Sequence, residues 1–242
     1  MCTVTVIRSD DGFIVTSNRD ENPERAVHHE PVTDKLNNTL LLFPKDPFAG
    51  GSWFVANEHK AIGVLLNGAF ENHVRLKEYR LSRGLILLQV MSNTNPEVAL
   101  HDIDLDLIEP FTLVLLIEHR LLAFRWDGNE KHFQNLDPNL PHIYSSVTLY
   151  NQAVRTKREQ LFSDFLAQNK MIDQHAMIKF HSMDLGDKMN GFVMQRSEML
   201  RTLSTTQAVV SGNSTQMNHY DMLNNERYNV SIEYATSNQS LN

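Results

Sequence analysis

Hydrophobic and polar positions alternate from the first residues of the chain. Thr3 to Arg8 carries β-branched residues in alternation, and Phe13 to Ser17 repeats the pattern. Between them Ser9-Asp10-Asp11-Gly12 is a turn signal, so the two runs predict a hairpin. Leu40 to Phe43 reads as a short strand. Trp53 to Ala56 and Ala61 to Leu66 predict a second hairpin, ending in Asn67-Gly68. Thr112 to Ile117 and Leu121 to Trp126 predict a third, and His142 to Ser146 a further strand. Thr205 to Ser211 and Thr215 to Leu223 predict a late hairpin around Gly212-Asn213, and Ile232 to Tyr234 a last strand.

The period changes to that of a helix three times. Val74 to Met91 carries a broad apolar stripe through Leu76, Tyr79, Leu81, Leu85, Leu88 and Val90, and Asn95-Pro96 is expected to close it. Tyr150 to Gln168 and Gln174 to Met183 are the other two helices. Residues 22–39 are polar and turn-rich and read as a loop directly after the first hairpin. The glycines of Gly50-Gly51-Ser52-Trp53 permit a close backbone approach. Long β-α-β alternation is missing, which argues against a doubly wound parallel sheet. The pattern predicts an α+β chain of antiparallel sheets with segregated helices. With no repeat, low-complexity tract or linker, residues 1–242 read as one domain, with a tail after Thr236 expected to fray.

Composition narrows the function classes. The chain has 242 residues, 41% of them hydrophobic, enough for a sizeable core. A net charge of −7 argues against a general nucleic-acid binder. No segment reaches about 18 uncharged apolar residues, so no transmembrane helix is expected. No basic stretch followed by an apolar one opens the chain, so a cytoplasmic location is the simplest expectation. The eleven histidines, His28-His29 included, show no metal-site spacing and read as solvated or capping groups.

The chemistry concentrates on Cys2, the sole cysteine. It excludes an internal disulfide and a cysteine-based zinc site. Removal of Met1, usual before a small second residue, would leave a thiol and a free α-amine on one residue. The thiolate attacks, and the amine, which ordinarily titrates near about 8, is the base. A hairpin loop at Asp10-Asp11 would pair residue 2 with residue 19, and a loop at Asp11-Gly12 would pair it with residue 21. Either register brings Cys2 beside Arg19, Asp20 or Glu21. Arginine would favour the thiolate, and a carboxylate could hold the ammonium. The bland alternative is an ordinary edge hairpin with a small buried cysteine.

Asn18-Arg19-Asp20-Glu21 behind an N-terminal Met-Cys-Thr resembles the NRDE family, which includes the transport and Golgi organisation protein 2 proteins. Gly50-Gly51-Ser52-Trp53 resembles that family's Gly-Gly-Thr-Trp turn. Leu65-Leu66-Asn67 resembles its strand ending in Asn, and Ser82-Arg83-Gly84-Leu85 a recurrent helix start. The family in turn resembles the choloylglycine hydrolase and penicillin V acylase branch of N-terminal-nucleophile hydrolases. The resemblance implies a four-layer αββα sandwich of two antiparallel sheets. It implies Cys2 as nucleophile and, through its amine, base, with Arg19 favouring thiolate and Asp20 accepting from the ammonium. Asn67 with the Gly68 N–H would bind the carbonyl oxygen, and Asn18, Glu21 and Trp53 would line the substrate. Two positions depart from the family pattern. Ser146, in Tyr144-Ser145-Ser146, stands where the family shows the asparagine of Leu-Ser-Asn, so a hydroxyl would be the second oxyanion donor. Arg201, the candidate for an arginine that related hydrolases carry near the substrate on a C-terminal strand, is out of register with the family's Thr-Arg-Ser-Ser-Thr.

The leading expectation is an N-terminal cysteine hydrolase or acyltransferase acting on a small-molecule amide or acyl substrate, at a C–N bond other than a peptide bond and without a cofactor. The competing one, also implied by the resemblance, is a non-catalytic carrier of haem, lipid or acyl-CoA, with His28, His29 or Cys2 as contacts. A third, a trafficking factor acting through partners, has only the family name behind it. The sequence sets no oligomeric state.

Overall fold

In the computed structural model, which describes residues 3–169 and 171–234, the two alternating N-terminal runs form β1 (Thr3–Ser9) and β2 (Gly12–Glu21). They pair antiparallel from Thr3↔Asn18 to Ser9↔Gly12, the register of the Asp10-Asp11 loop. Met1, Cys2 and the tail expected to fray lie outside the described residues.

Every strand between residues 32 and 136 belongs to one sheet, in strict chain order. Its strands are β3 (Val32–Leu36), β4 (Thr39–Phe43), β5 (Phe54–Asn57), β6 (Ala61–Asn67), β7 (Phe111–Ile117), β8 (Arg120–Trp126) and β9 (Lys131–Leu136), each hydrogen-bonded to the next. Between β6 and β7 come α1 (Arg83–Met91) and α2 (Pro96–Asp102). The other sheet gathers strands from both ends of the chain. β10 (His142–Ser145), β1, β2, β12 (Leu200–Val210), β13 (Ser214–Asp221) and β14 (Glu226–Glu233) lie in that order, with short β11 (Gln195–Ser197) on β12. Before β11 come α3 (Gln152–Gln168) and α4 (Gln174–His181).

The sheets face each other across one apolar core, to which Val4, Val6, Phe13, Val15, Leu41, Phe54, Val64 and Leu113 contribute. α1 lies on β5 and β6 with α2 beside it, and α4 lies on β2 and β12 with α3 next to β10. The two antiparallel sheets with helices on their outer faces are the α+β architecture expected.

Several elements differ from the sequence expectation. Residues 22–39 are not a loop throughout: a 3-10 turn spans Pro23–Arg25 and β3 pairs with β4. Asn37 and Asn38 turn that hairpin with φ of 47° and 64°, a left-handed pair that asparagine tolerates well. The helix expected over 74–91 begins only at Arg83. Ser82 caps it by accepting from the Leu85 N–H, while upstream Arg75 and Arg80 tie the chain to Glu109 and to Asp104. Val74 and Leu76 are consequently exposed. Asn95-Pro96 opens α2 instead of closing a helix, with Asn95 accepting from Glu97 and Val98 N–H groups. β9 is a polar edge strand without clear alternation, and β14 starts at Glu226, upstream of the strand expected at 232–234, with Tyr228, Val230 and Ile232 alternating against polar neighbours.

Candidate functional site

Strand period splits the Asn18–Glu21 run between two faces of its sheet. Asn18 and Asp20 turn towards α3 and α4, and Arg19 and Glu21 turn towards the opposite sheet. Asn18 is a buried strut. Its amide donates to the His181 and Phe192 carbonyls, and its oxygen accepts from Thr205 and from His181 Nδ1. Asp20 is buried and accepts from the Tyr150 hydroxyl at 2.7 Å and the Thr202 hydroxyl at 2.6 Å. Burial and the neighbouring Asp20 carboxylate hold the Tyr150 phenol well above its ordinary pKa, so it stays a donor. Arg158 is buried against the same ring, its guanidinium carbon 3.7 Å from the centroid. It donates to the Thr3 hydroxyl and to the Asn190 and Gly191 carbonyls. His181, also buried, is pulled down to about 3 by burial. As a neutral ring its Nδ1 donates to Asn18 and its Nε2 accepts from Thr5.

On the other face Arg19 and Glu21 line a cavity of about 330 Å³. The Arg19 guanidinium lies 3.9 Å over the Trp53 ring and donates to Asp46 at 2.5 Å. Asp46 also takes Arg25 at 2.8 Å and receives the Phe48 and Ala49 N–H groups, which fixes the turn before Gly50. Arg25 in addition reaches Glu21 at 3.2 Å. On the far wall Glu109 accepts from Arg75 at 2.9 Å, Arg83 at 3.0 Å and His73 at 3.3 Å. Burial lowers the Arg83 guanidinium to about 10 against the pull of Glu109. Gly51 admits the start of α1 to this wall, since a Cβ there would meet the Gly84 carbonyl carbon at 2.4 Å. Trp53, Leu65 and Leu81 supply the apolar lining.

Asn67, at the end of β6, lines this cavity and a second of about 220 Å³. Its side-chain amide has no hydrogen-bond partner among the described residues. The strand order places Thr3 between Asn18 and Ser145, so β1 starts between the strand that feeds the first cavity and the one that feeds the second. Two expected oxyanion donors are already committed elsewhere. The Gly68 N–H donates to the Pro110 carbonyl at 3.0 Å. Ser146 gives its one proton to the Asn67 carbonyl at 2.9 Å, although it lines the second cavity.

Of the expected site residues, Arg19, Glu21, Trp53 and Asn67 converge on the first cavity. Asn18, Asp20 and Arg201 do not line it. Arg201 pairs with Glu21 across β12 and β2, and its buried Nε has no hydrogen-bond partner among the described residues. His28 is held by Asp221 and Asn224, and neither it nor His29 lines either cavity. Cys2 lies outside the described residues. Sequence reasoning did not single out Asp46, Arg25 and Glu109, whose roles arise only from contacts between distant segments. Arg83 was within reach, inside the Ser82–Leu85 run. Among the described residues no group of three or more His, Cys, Asp or Glu is placed to hold a metal ion, and no helix is long and apolar enough to cross a membrane.

Comparisons with known proteins fit this arrangement. The family model described as Transport and Golgi organisation 2 matches residues 1–148. No curated protein matches the chain by sequence. Among solved structures, a Caenorhabditis elegans ortholog of N-acylethanolamine-hydrolyzing acid amidase superposes with a TM-score of 0.57 at 11% identity, covering 86% of this chain and 92% of its own. Two variants of the conjugated bile acid hydrolase of Clostridium perfringens superpose with TM-scores of 0.53 and 0.52 at 9% and 11% identity, covering 97% and 100% of both chains. At these identities the likeness is one of fold.

Proposed function

The chain belongs to the Transport and Golgi organisation 2 family and carries a hydrolase-like fold, and from that premise we propose that it is an N-terminal cysteine hydrolase or acyltransferase of small-molecule amides. After removal of Met1, the Cys2 amine takes the thiol proton and the thiolate attacks the amide carbonyl carbon. The ammonium returns that proton to the nitrogen as the C–N bond breaks, and the amine leaves. A thioester remains on Cys2. Water, deprotonated by the same amine, attacks the thioester, which releases the acid and restores the thiol; a second amine in place of water gives acyl transfer.

The observation that carries this reading is Asn67. It offers an amide N–H₂ that is uncommitted among the described residues, where two cavities meet, near the end of the sheet where β1 begins. Arg19 supplies positive charge that favours the thiolate. Asp20 uses two lone pairs on Tyr150 and Thr202 and keeps others for the ammonium. Both named structural relatives are hydrolases, one of N-acylethanolamines and one of conjugated bile acids.

Intact mass of the purified protein should show Met1 removed. Incubation with an N-acyl amide should then release free amine and leave an acyl adduct on Cys2 in a quenched sample. Cys2→Ala should abolish release, and Asn67→Ala should lower kcat by about 10²–10³. Amine release that persists in Cys2→Ala ends the proposal.

A further inference from the structure

The first cavity is walled by charges that do not balance. Arg19, Arg25, Arg75 and Arg83 line it against Glu21, Asp46 and Glu109, so among the described residues guanidiniums outnumber carboxylates by one. On the near wall the signs match: Asp46 takes Arg19 and Arg25, and Glu21 takes Arg25. On the far wall Arg75 and Arg83 share Glu109, and His73 is a third group on that carboxylate. The excess positive charge lies there.

Glu109 is occupied at both oxygens. Its Oε1 takes Arg75 Nε at 2.9 Å and His73 Nε2 at 3.3 Å, and its Oε2 takes Arg83 at 3.0 Å and a second Arg75 nitrogen at 3.4 Å. A guanidinium has five N–H donors in a fixed fork. Arg83 spends one nitrogen on Glu109 and another on the Pro110 carbonyl at 3.3 Å, and keeps N–H groups beyond those two bonds. Burial lowers Arg83 to about 10 although Glu109 pulls the other way, so the wall holds a desolvated cation that a second anion would stabilise. Ser82, Arg83 and Gly84 also bring the positive end of α1 to this wall. Trp53 and Leu65 give the same cavity apolar surface for a few methylenes. Its volume of about 330 Å³ is near the low end of the roughly 300–1,000 Å³ of small-molecule pockets, which suits a short group.

We propose that the far wall of the first cavity, Arg75 and Arg83 beside Glu109, binds a carboxylate at the end of a short acyl half, so that the preferred substrates are monoamides of dicarboxylic acids. This rests on the reading of the protein as an amide hydrolase. In that chemistry the acyl half stays on Cys2 after the amine has left. An ionic site suits the half that stays, because on the departing half it would hold back the product.

Three small amides test it by binding alone. N-Propylglutaramate carries a carboxylate at the end of its acyl half, and N-propyl-5-oxohexanamide carries a neutral methyl ketone there. N-Butanoyl-4-aminobutyrate is the isomer of the first with the carboxylate on the amine half. Titration calorimetry on the full-length Cys2→Ala protein should give a Kd about tenfold lower for the glutaramate than for the ketone, the size expected of a charge-assisted hydrogen bond. Arg83→Gln should abolish that preference. Arg83 is buried against Glu109, so Arg75→Gln, on a largely exposed side chain, is the second variant and should lose part of the preference with its Tm unchanged. Glu109→Gln removes the competing anion and should widen the preference, which damage to the wall would not do. Equal affinities, no saturable binding of the glutaramate, or a preference that survives Arg83→Gln overturns the site. A loss of affinity for the aminobutyrate isomer as large as that for the glutaramate in Arg83→Gln overturns its assignment to the acyl half. Preferential binding with no propylamine released by the unsubstituted protein leaves the carboxylate site standing and removes hydrolysis alone.

Discussion

The two outer layers of the sandwich are built on different principles. α1 packs on the sheet of β3 to β9 through Leu87, Val90 and Met91, and Gly63 of β6 lets the helix approach so closely that a Cβ there would meet Leu87 Cδ1 at 2.9 Å. That interface is mainly apolar, with one buried hydrogen bond at its end, from the Asn57 amide to the Met91 carbonyl at 3.0 Å. Over the other sheet, the half of the layer near Thr3 is held by hydrogen bonds among buried groups: Arg158, Tyr150, Asp20, Thr202, Asn18 and His181. Apolar packing tolerates a range of shapes, whereas a buried hydrogen-bonded network fixes one, even though Arg158 Nε has no partner in it among the described residues. The directional layer underlies the end of β2 that presents Arg19 and Glu21 to the cavity, where a small displacement would matter most.

The contrast is most open to attack in the apolar layer. Leu87→Ala should lower stability by about 2–5 kcal/mol by chemical denaturation, and leave amide binding in the cavities unchanged. If binding fell as well, the two layers would not be independent. Arg158→Met keeps most of the volume and removes the bonds to Thr3, Asn190 and Gly191. It should cost about 2–3 kcal/mol and weaken amide binding, because β1 and the 190–191 segment lose a shared donor. An unchanged Tm would mean that burying the charge cancels its bonds, and the directional layer would then stabilise no better than a greasy one.

The smallest effect is one of pH. His181 is neutral in the fold, its pKa pulled by burial from 6.5 to about 3, while in the unfolded chain it protonates near its ordinary value. The unfolded state therefore binds more protons between those values. The contribution to stability is complete above about pH 6.5 and is lost as pH falls towards 3, at no more than about 1.4 kcal/mol per pH unit. His181→Gln should flatten the slope of urea stability between pH 7 and pH 5. It should not remove it, since buried His219, pulled down to about 4, adds a similar dependence. A slope identical to that of the unsubstituted protein would place the acid sensitivity elsewhere.

The sequence made the local parts legible. Each hairpin joins neighbours, so alternation and turn residues sufficed for the β1–β2, β5–β6 and β7–β8 pairs. Edge strands escaped because β3 carries Asp34 and Lys35, and β9 reads Lys131-His132-Phe133-Gln134-Asn135-Leu136, with no clean alternation to see. The helix stripe over 74–91 misled because apolar spacing says nothing of Arg75 and Arg80 anchoring the chain to distant loops. The Asn18–Glu21 run marked the right strand, yet only the strand's two-residue period in place separates Arg19 from Asp20. Asp46 and Glu109 were invisible for a simpler reason: a carboxylate acquires meaning only from the arginines that fold around it.

The strand order also sets a timetable for synthesis. The sheet of β3 to β9 is a continuous meander and can assemble from the ribosome outwards as its strands emerge. β2 waits far longer: Asp20 meets Thr202, 182 positions later, and until then one edge of the first hairpin is uncovered. Long-range pairings of this kind are slow and leave strand edges open to other chains. The strand that carries Arg19 into the cavity is therefore finished among the last, and a chain interrupted before β12 would have its apolar meander in hand and no site to go with it.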